Sequence, residues 1–466
     1  MTRSVPRRVP RLARWIAALA MAASGAAHAL DTGSDRFDAF FQLTVIGQHK
    51  PAFRAPYTNL GGTPNSLRPE AEDSWTVSTT AYLSWRLWDG GQLHLVPEVI
   101  SLVPLSELKG LGGGIPNGEL QKTGEPKPTL YRSRLFLRQT WNLGGEAAEL
   151  EAGPLQRAGT VTARRVVLTV GNLSVLDVFD RNAYAGDVRQ QFVNMAFMTH
   201  AAFDFAADAR GYSWGLAAEW HHDAWSLRAG RFLVPRDPNQ LSLDPRILRW
   251  YGDQVELERR HQIDGEPGAL KLLLYRNRAN AGRFDEALDA LRADPSRNAT
   301  ACTGFSYGSG NATAPDLCWA RRANSKLGVG LNLEQRAGWI GVFGRAMVSD
   351  GRTEVYSYTS ADRSLSMGAI LDGERWGRPD DAAGLGWAGH AISAAHAAYL
   401  AAGGIDGFVG DGALSRATER VIEAWYRVSI VRGAWLTLDA QRIVNPGFNA
   451  DRGPVTVWGA RLHLEL

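Results

Sequence analysis

Apolar and polar residues alternate with period 2 along much of this chain, most clearly over Trp75–Leu87. Trp75, Val77, Ala81, Leu83, Trp85 and Leu87 share one face, and Thr76, Ser78, Thr80, Ser84 and Arg86 share the other. Successive strand residues point to opposite sides, so this stretch predicts a strand that is greasy on one side and polar on the other. It stops at Asp89-Gly90-Gly91, a hairpin signal, and a second strand follows over Gln92–Glu98. The same alternation recurs over Tyr212–Trp220, which passes through His221-His222-Asp223 to Trp225, Leu227 and Ala229. It returns over Leu327–Leu333, and over Ile422–Ile430, which turns at Arg432-Gly433 into Leu436 and Leu438. In the final stretch Trp458, Leu462, Leu464 and Leu466 alternate with Arg461, His463 and Glu465.

The connections have a rhythm: tight turns near 89, 222, 336 and 433, and long loops near 48–73, 102–128, 175–210, 279–325 and 397–417. Two weaker strands, near 364–371 and 382–392, bring the count to sixteen, and Phe37, Phe40, Phe41, Leu43 and Val45 suggest the first. The charged faces decide what kind of sheet this is. In Tyr131–Arg138, Arg132, Arg134 and Arg138 share a face. Each arginine held in lipid near the bilayer midplane would cost about 2–4 kcal/mol, so these point to water while Leu135 and Leu137 point to lipid. The pattern predicts an all-β fold, a transmembrane antiparallel β-barrel of sixteen strands with short periplasmic turns and long outer loops. By the same parity Arg86, Glu219, Arg228, Glu256, Glu258, Arg260, Glu334, Glu419, Glu423, Arg427, Asp439, Arg461 and Glu465 face the lumen. Helices are expected over Ala388–Ala402 and Asp285–Leu291, outside the lipid.

Composition narrows the location. Arg3, Arg7, Arg8, Arg11 and Arg14 precede an apolar run from Trp15 to Ala23 and then Ala27-His28-Ala29, the layout of a cleaved secretory signal over residues 1–29. Removing it takes five of the 51 basic residues and none of the 48 acidic ones, so the formal charge moves from +3 to about −2. That balance argues against a nucleic-acid partner. The barrel domain then spans residues 30–466. Cys302 and Cys318 sit in one Gly, Ser, Asn and Ala-rich stretch, and in an exported chain they predict a disulfide closing an outer loop. Two thiols without ligands at zinc spacing make no metal site, and no cofactor motif is present.

A lumen with interleaved guanidinium and carboxylate groups offers both donors and acceptors, which suits neutral hydroxylated solutes. Such charges also serve simply to keep a wide pore wet. The Asp177–Arg189 block is dense in polar residues, and two readings stay open: an inward constriction carried by Asp180, Arg181, Asn182, Tyr184, Asp187 and Arg189, or a self-paired loop sealing the mouth. Asn298-Ala299-Thr300, Asn311-Ala312-Thr313, the Gly112-Gly113-Gly114 run and the His221-His222 pair are read as composition rather than sites.

The chain resembles the carbohydrate-selective porin (OprB) family of bacterial outer membranes, in ordered blocks from about Ala81 to the C-terminus. The resemblance rests on Leu83-Ser84-Trp85-Arg86-Leu87-Trp88-Asp89-Gly90-Gly91, Pro116-Asn117-Gly118-Glu119, Leu135-Phe136-Leu137-Arg138-Gln139-Thr140 and the block Val178–Asp187. Ala207–Tyr212, Gly230–Arg236, Asn445-Pro446-Gly447-Phe448 and Asp451–Val455 continue it. It implies a sixteen-stranded barrel in the outer membrane of a Gram-negative bacterium that passes monosaccharides such as glucose by diffusion. Outer-membrane lipid, lipopolysaccharide and the barrel assembly machinery are the implied partners, with monomer and trimer both open. A same-fold pore for small organic anions is the alternative, drawn by Arg132, Arg134 and Arg138. An outer-membrane lipid hydrolase would need a nucleophile and base that the sequence does not display. Two departures stand out: the chain closes on Leu466 where the family has an aromatic residue, and the family pattern is faint over Asp31–Asp73.

Overall fold

Sixteen amphipathic strands joined in sequence close into one antiparallel barrel in the computed structural model, which describes residues 36–466. The expected signal, residues 1–29, lies outside the described residues. The strands are β1 (Phe37–Lys50), β2 (Glu72–Trp88), β3 (Gly91–Val103), β4 (Thr129–Leu150), β5 (Gly159–Leu173), β6 (Ser213–His222), β7 (Trp225–Phe232) and β8 (Tyr251–Ile263). They continue as β9 (Glu266–Ala281), β10 (Arg322–Ala337), β11 (Ile340–Ser349), β12 (Arg363–Asp372), β13 (Ala382–Ala391), β14 (Glu419–Val431), β15 (Ala434–Val444) and β16 (Val455–Glu465). Each pairs with its sequence neighbours, and β1 pairs with β16 in a register that sets Gln42 beside Glu465 and His49 beside Trp458. At the seam Phe41 and Leu466 exchange both backbone hydrogen bonds, at 2.9 Å each, so the terminal leucine completes the closure.

The long connections all lie at one end of the barrel, the outer one, and five of the turns at the periplasmic end contain two residues each. Of the two longer periplasmic turns, 151–158 is absent from the expected rhythm, and 373–381 falls between the strands expected near 364–371 and 382–392. Leu227, Leu257, Leu272, Leu331, Leu385, Ile422 and Leu438 stand exposed on the outer wall, where the surrounding hydrocarbon removes the penalty that water would impose. The two helices form close to where expected, as α1 (Phe284–Ala293) and α2 (Ala394–Ala401) in the outer loops. Ala388–Ala391, expected to be helical, finish β13 instead, and the Ser393 hydroxyl then accepts the His396 N–H at 3.0 Å to cap α2. Phe284 of α1 stacks on His396 of α2 at 4.1 Å between ring centres. Cys302 and Cys318 are bonded within the same loop layer.

The interior departs from the picture of a uniformly wet lumen. The connections 104–128 and 174–212 turn inward and carry an apolar core into the barrel. Leu105, Leu111, Ile115, Val178, Phe179, Phe192, Phe197, Phe203 and Phe205 pack there against wall residues Phe136, Phe232, Tyr275, Phe343 and Trp425. Phe192 lies 4.7 Å from Phe197 and 5.7 Å edge-on from Trp425. Burying backbone inside a barrel requires partners for every N–H and C=O, and the lumen-facing side chains of the wall supply them.

Candidate functional site

The 174–212 connection enters the barrel directly from the end of β5. Ser174 and Asp177 cap each other's backbone, with Ser174 N–H on Asp177 Oδ2 at 2.9 Å and Leu176 N–H on the Ser174 hydroxyl at 3.3 Å. Arg134 of β4 grips the Asp177 carboxylate through two bonds of 2.7 Å. Asp180 then adopts a left-handed conformation, φ 54°, which Asp tolerates better than most residues. Its carboxylate accepts from the Thr199 hydroxyl (2.6 Å), the His200 N–H (3.1 Å), Asn332 Nδ2 and Arg345 Nε, while its own N–H donates to Glu256 at 2.7 Å. Asn182 donates to Asn332 Oδ1 at 2.7 Å, Ala183 N–H to Glu334 at 2.8 Å, and Lys271 of β9 to the Arg181 carbonyl.

Seven residues later the chain is fastened to the opposite wall. Arg189 donates to Glu98 (2.8 Å), Glu119 (3.3 Å), Thr80 (2.9 Å) and Gln42 (3.0 Å). Gln190 reaches Glu465 at 2.6 Å, and Arg461 of β16 holds the Val188 and Gln191 carbonyls at 2.7 and 2.8 Å. The Val193 and Asn194 N–H groups both end on Glu423 of β14, at 2.6 and 2.9 Å. The segment therefore crosses the lumen from the β8–β11 wall to the wall formed by β14–β16 and β1–β3.

The six residues singled out in this block divide by position. Asp180 and Arg189 are buried and pin the crossing; Asn182 and Tyr184 are half-buried; Arg181 and Asp187 are exposed. Tyr184 lies against Gly341 so closely that a Cβ there would meet its ring at 2.0 Å. The wall residues divide in the same way. Glu256, Glu419, Glu423, Asp439 and Arg461 point inward but are covered by the inward segments, so they bind loop backbone and neighbouring side chains instead of wetting a channel. Arg86, Arg138, Glu219, Arg228, Glu258 and Arg260 line an open vestibule at the periplasmic end. Glu334, Arg427 and Glu465 are intermediate, each bonded to or facing the crossing segment.

Arg132 is a correction. It lies on the outer wall, exposed, its guanidinium 5.1 Å from the outward Trp214 ring. The β3–β4 register shifts between Val96, opposite Arg134, and Pro97, opposite Arg132. Ser133 is the extra residue of a β-bulge and reverses the parity on its far side. Pro97 has no N–H to give the ladder, which is the local signal that parity counting passes over.

Other functional contacts were not legible as such. Gly112, Gly113 and Gly114 do form an anion-binding loop, but the anion is the protein's own Glu419, which takes their N–H groups at 2.9, 2.8 and 2.8 Å and Gly447 N–H at 2.7 Å. Asp204 plays the same part for the N–H groups of Tyr356, Ser357 and Tyr358, at 2.8, 2.8 and 2.9 Å.

The vestibule has a volume of about 1400 Å³ and reaches up to Arg181 and Asp187 of the crossing segment. The 151–158 turn folds beneath it: Arg138 Nη1 donates to the Leu155 carbonyl (2.7 Å), Arg86 Nη2 to the Ala158 carbonyl (3.2 Å), and Arg157 Nη1 to the Ser84 carbonyl (3.0 Å). On the far side Arg228 bridges Glu219, Glu256 and Glu258 at 3.0, 2.8 and 2.7 Å. Trp88 and Trp141 stand on the outer face of this rim, the face of Leu137, with Trp88 Nε1 donating to Gln139 at 2.6 Å. Guanidinium donors and carboxylate acceptors around one open space can engage hydroxyls from either side.

The carbohydrate-selective porin OprB family model matches residues 75–466. No curated protein matches the chain significantly in sequence. Among solved structures, the high-pH form of Pseudomonas putida OprB is similar with a TM-score of 0.67 at 14% identity, covering 92% of this chain and 94% of that one. Pseudomonas aeruginosa OccK2 (OpdF) aligns with a TM-score of 0.42 at 12% identity, over 92% and 97% of the two chains, and outer-membrane expressed OmpT of Vibrio cholerae with 0.47 at 9%, over 93% and 99%. The barrel is thus of the outer-membrane porin type, and the chain belongs to the OprB family of carbohydrate-selective porins.

Proposed function

We propose that this protein conducts monosaccharides and similar small polar solutes passively across the outer membrane, with residues 177–194 narrowing the path and the periplasmic vestibule receiving the solute. The observation that carries this reading is the exposed Arg181 and Asp187 pair on the crossing segment, which faces a vestibule walled by both signs of charge. A neutral polyol finds donors and acceptors at each step, while a charged solute meets repulsion from one sign or the other. Contacts stay weak because water competes for every group, which favours release. Conduction requires no bond to be made or broken, in line with a channel rather than an enzyme.

Liposome swelling tests the reading. Glucose should enter faster than a charged solute of similar size, and equal or slower glucose entry would refute neutral-solute preference. Reversal potentials in a salt gradient separate the organic-anion alternative: a strong anion preference would replace sugar with a small carboxylate as the solute. Lipid hydrolysis by the purified barrel would overturn the channel reading itself.

A further inference from the structure

We propose that the outer wall carries a docking site for a phosphate-bearing glycolipid of the outer leaflet, in the groove between β8 and β11. Its bed is apolar: Val255, Leu274, Leu327, Val329 and Val348 enclose a shallow trough of about 590 Å³. All five side chains are at least two-fifths exposed. They lie in the outer halves of their strands, at the depth of the outer-leaflet acyl chains. Arg276 closes the trough at its outer end.

Charge at that end is concentrated and only partly neutralised. Tyr251 is sandwiched between Arg231, 3.9 Å from its ring centre, and Arg276, 5.7 Å away on the neighbouring strand. Register places Arg278 directly beside Tyr251 and Arg276 beside Asp253. Asp253 is taken by Arg231 through two bonds of 2.7 and 2.8 Å. Asp350, at the groove's lip, accepts N–H groups from Arg352 at 3.1 Å and Leu327 at 3.4 Å. Among the described residues neither Arg276 nor Arg278 has a carboxylate at ion-pair distance. Arg276 lies beside Leu327 of the trough and Arg278 two residues farther out on the same strand, so two guanidinium groups border the trough toward its outer end. That pairing suits a phosphate bearing acyl chains, because the arginine forks match phosphate oxygens while the chains lie along the valines and leucines.

The test uses the full barrel in zwitterionic detergent, titrated with bisphosphorylated lipid A and read by native mass spectrometry. One retained lipid A is expected on the unmodified protein. Arg276→Ala with Arg278→Ala should weaken its retention at least about tenfold, and Val329→Trp, which fills the trough and spares both arginines, should also weaken it. Arg132→Ala, an exposed outer-wall arginine elsewhere, should leave it unchanged. Heat-modifiable mobility and glucose flux in the same preparations verify folding. Equal retention in all variants, equal loss on Arg132→Ala, or retention of phosphatidylethanolamine as strong as that of lipid A would each overturn the site. A dimer that Val329→Trp dissolves without any lipid loss would assign the groove to a second copy of the chain, and so also overturn it.

Discussion

The crossing segment hangs on Asp180, and Asp180→Asn tests whether that attachment sets the pore. The substitution preserves shape and tolerance of the left-handed backbone, but removes what is, among the described residues, the only carboxylate within ion-pair distance of Arg345, whose side chain is 1% exposed. Breaking a buried pair costs about 3–5 kcal/mol. Arg345 keeps the Ala185 carbonyl at 2.7 Å and the Phe197 and Asp180 carbonyls at 3.1 Å, which places the cost near the lower end, about 3 kcal/mol. The loss falls on the segment, because the barrel wall keeps all its strand pairs. At 1.4 kcal/mol per tenfold, local opening of residues 177–200 should rise by roughly two decades. Hydrogen exchange should show that loss of protection confined to the segment, and planar bilayers should show added openings of larger conductance. Combining Asp180→Asn with Arg345→Met should cost less than the sum of the two singles, since neither then leaves an orphaned charge. Refutation is simple to state: protection lost across the segment with conductance and size cutoff unchanged would mean that the crossing does not narrow the path.

The exposed pair gives an opposite-sign test: Asp187→Asn should move the reversal potential toward anions and Arg181→Gln toward cations, with stability changed by no more than about 0.5 kcal/mol for surface positions. Gly112→Ala would set a Cβ 2.1 Å from the Phe448 ring and disturb the N–H groups that hold Glu419, so it should lower the thermal midpoint by about 1–3 kcal/mol equivalent, whereas Gly113→Ala, with its nearest contact at 3.0 Å, should be milder. In the outer loops, burial pushes the Asp406 carboxyl up to about 7, against the opposing pull of His396 at 3.2 Å, Lys326 and the Val355 N–H, and with Glu354 adding to the rise. A carboxyl whose folded pKa is raised stabilises the fold below its ordinary value near 4 and loses that contribution as pH climbs to 7. Proteolysis of the outer loops should therefore quicken from pH 4 to 7.5, and Asp406→Asn should flatten the profile; an unaltered profile in the variant would refute this assignment.

Period-2 alternation was enough to place the strands, because lipid on one side and polar groups on the other select residue type at every position of the wall. It failed where the backbone broke the period. Arg132 reads as lumen-facing only if the count runs through Ser133, and the proline opposite, unable to donate, is what interrupts it. The 151–158 turn was missed because it carries neither the Asn-Gly nor the Asp-Gly pair that marks a two-residue hairpin, whereas 373–381, entered through Asp372-Gly373, lies between two strands that the alternation did show. The crossing segment was visible as a polar block, but not its split into pins and exposed groups. Asp180 and Asp187 look alike in sequence, and only the approach of Arg345, Thr199 and Asn332 to one of them makes it structural.

That split bears on what a mixed-charge lumen means. A loop drawn into a barrel brings N–H and C=O groups that neither lipid nor bulk water can satisfy, and a charged wall residue is the strongest available partner for them. Glu419, Glu423, Glu256, Arg461 and Lys271 are occupied in this way, each by backbone of an inward segment. Their charge is committed to architecture, and a solute never meets it bare. On the channel reading proposed above, solute preference rests on the remainder, the vestibule groups together with Arg181 and Asp187, and a lumen-wide charge count overstates the field that a permeating molecule meets. Neutralising Glu423 should accordingly loosen residues 193–194 with little change in ion selectivity, while neutralising Asp187 should do the reverse.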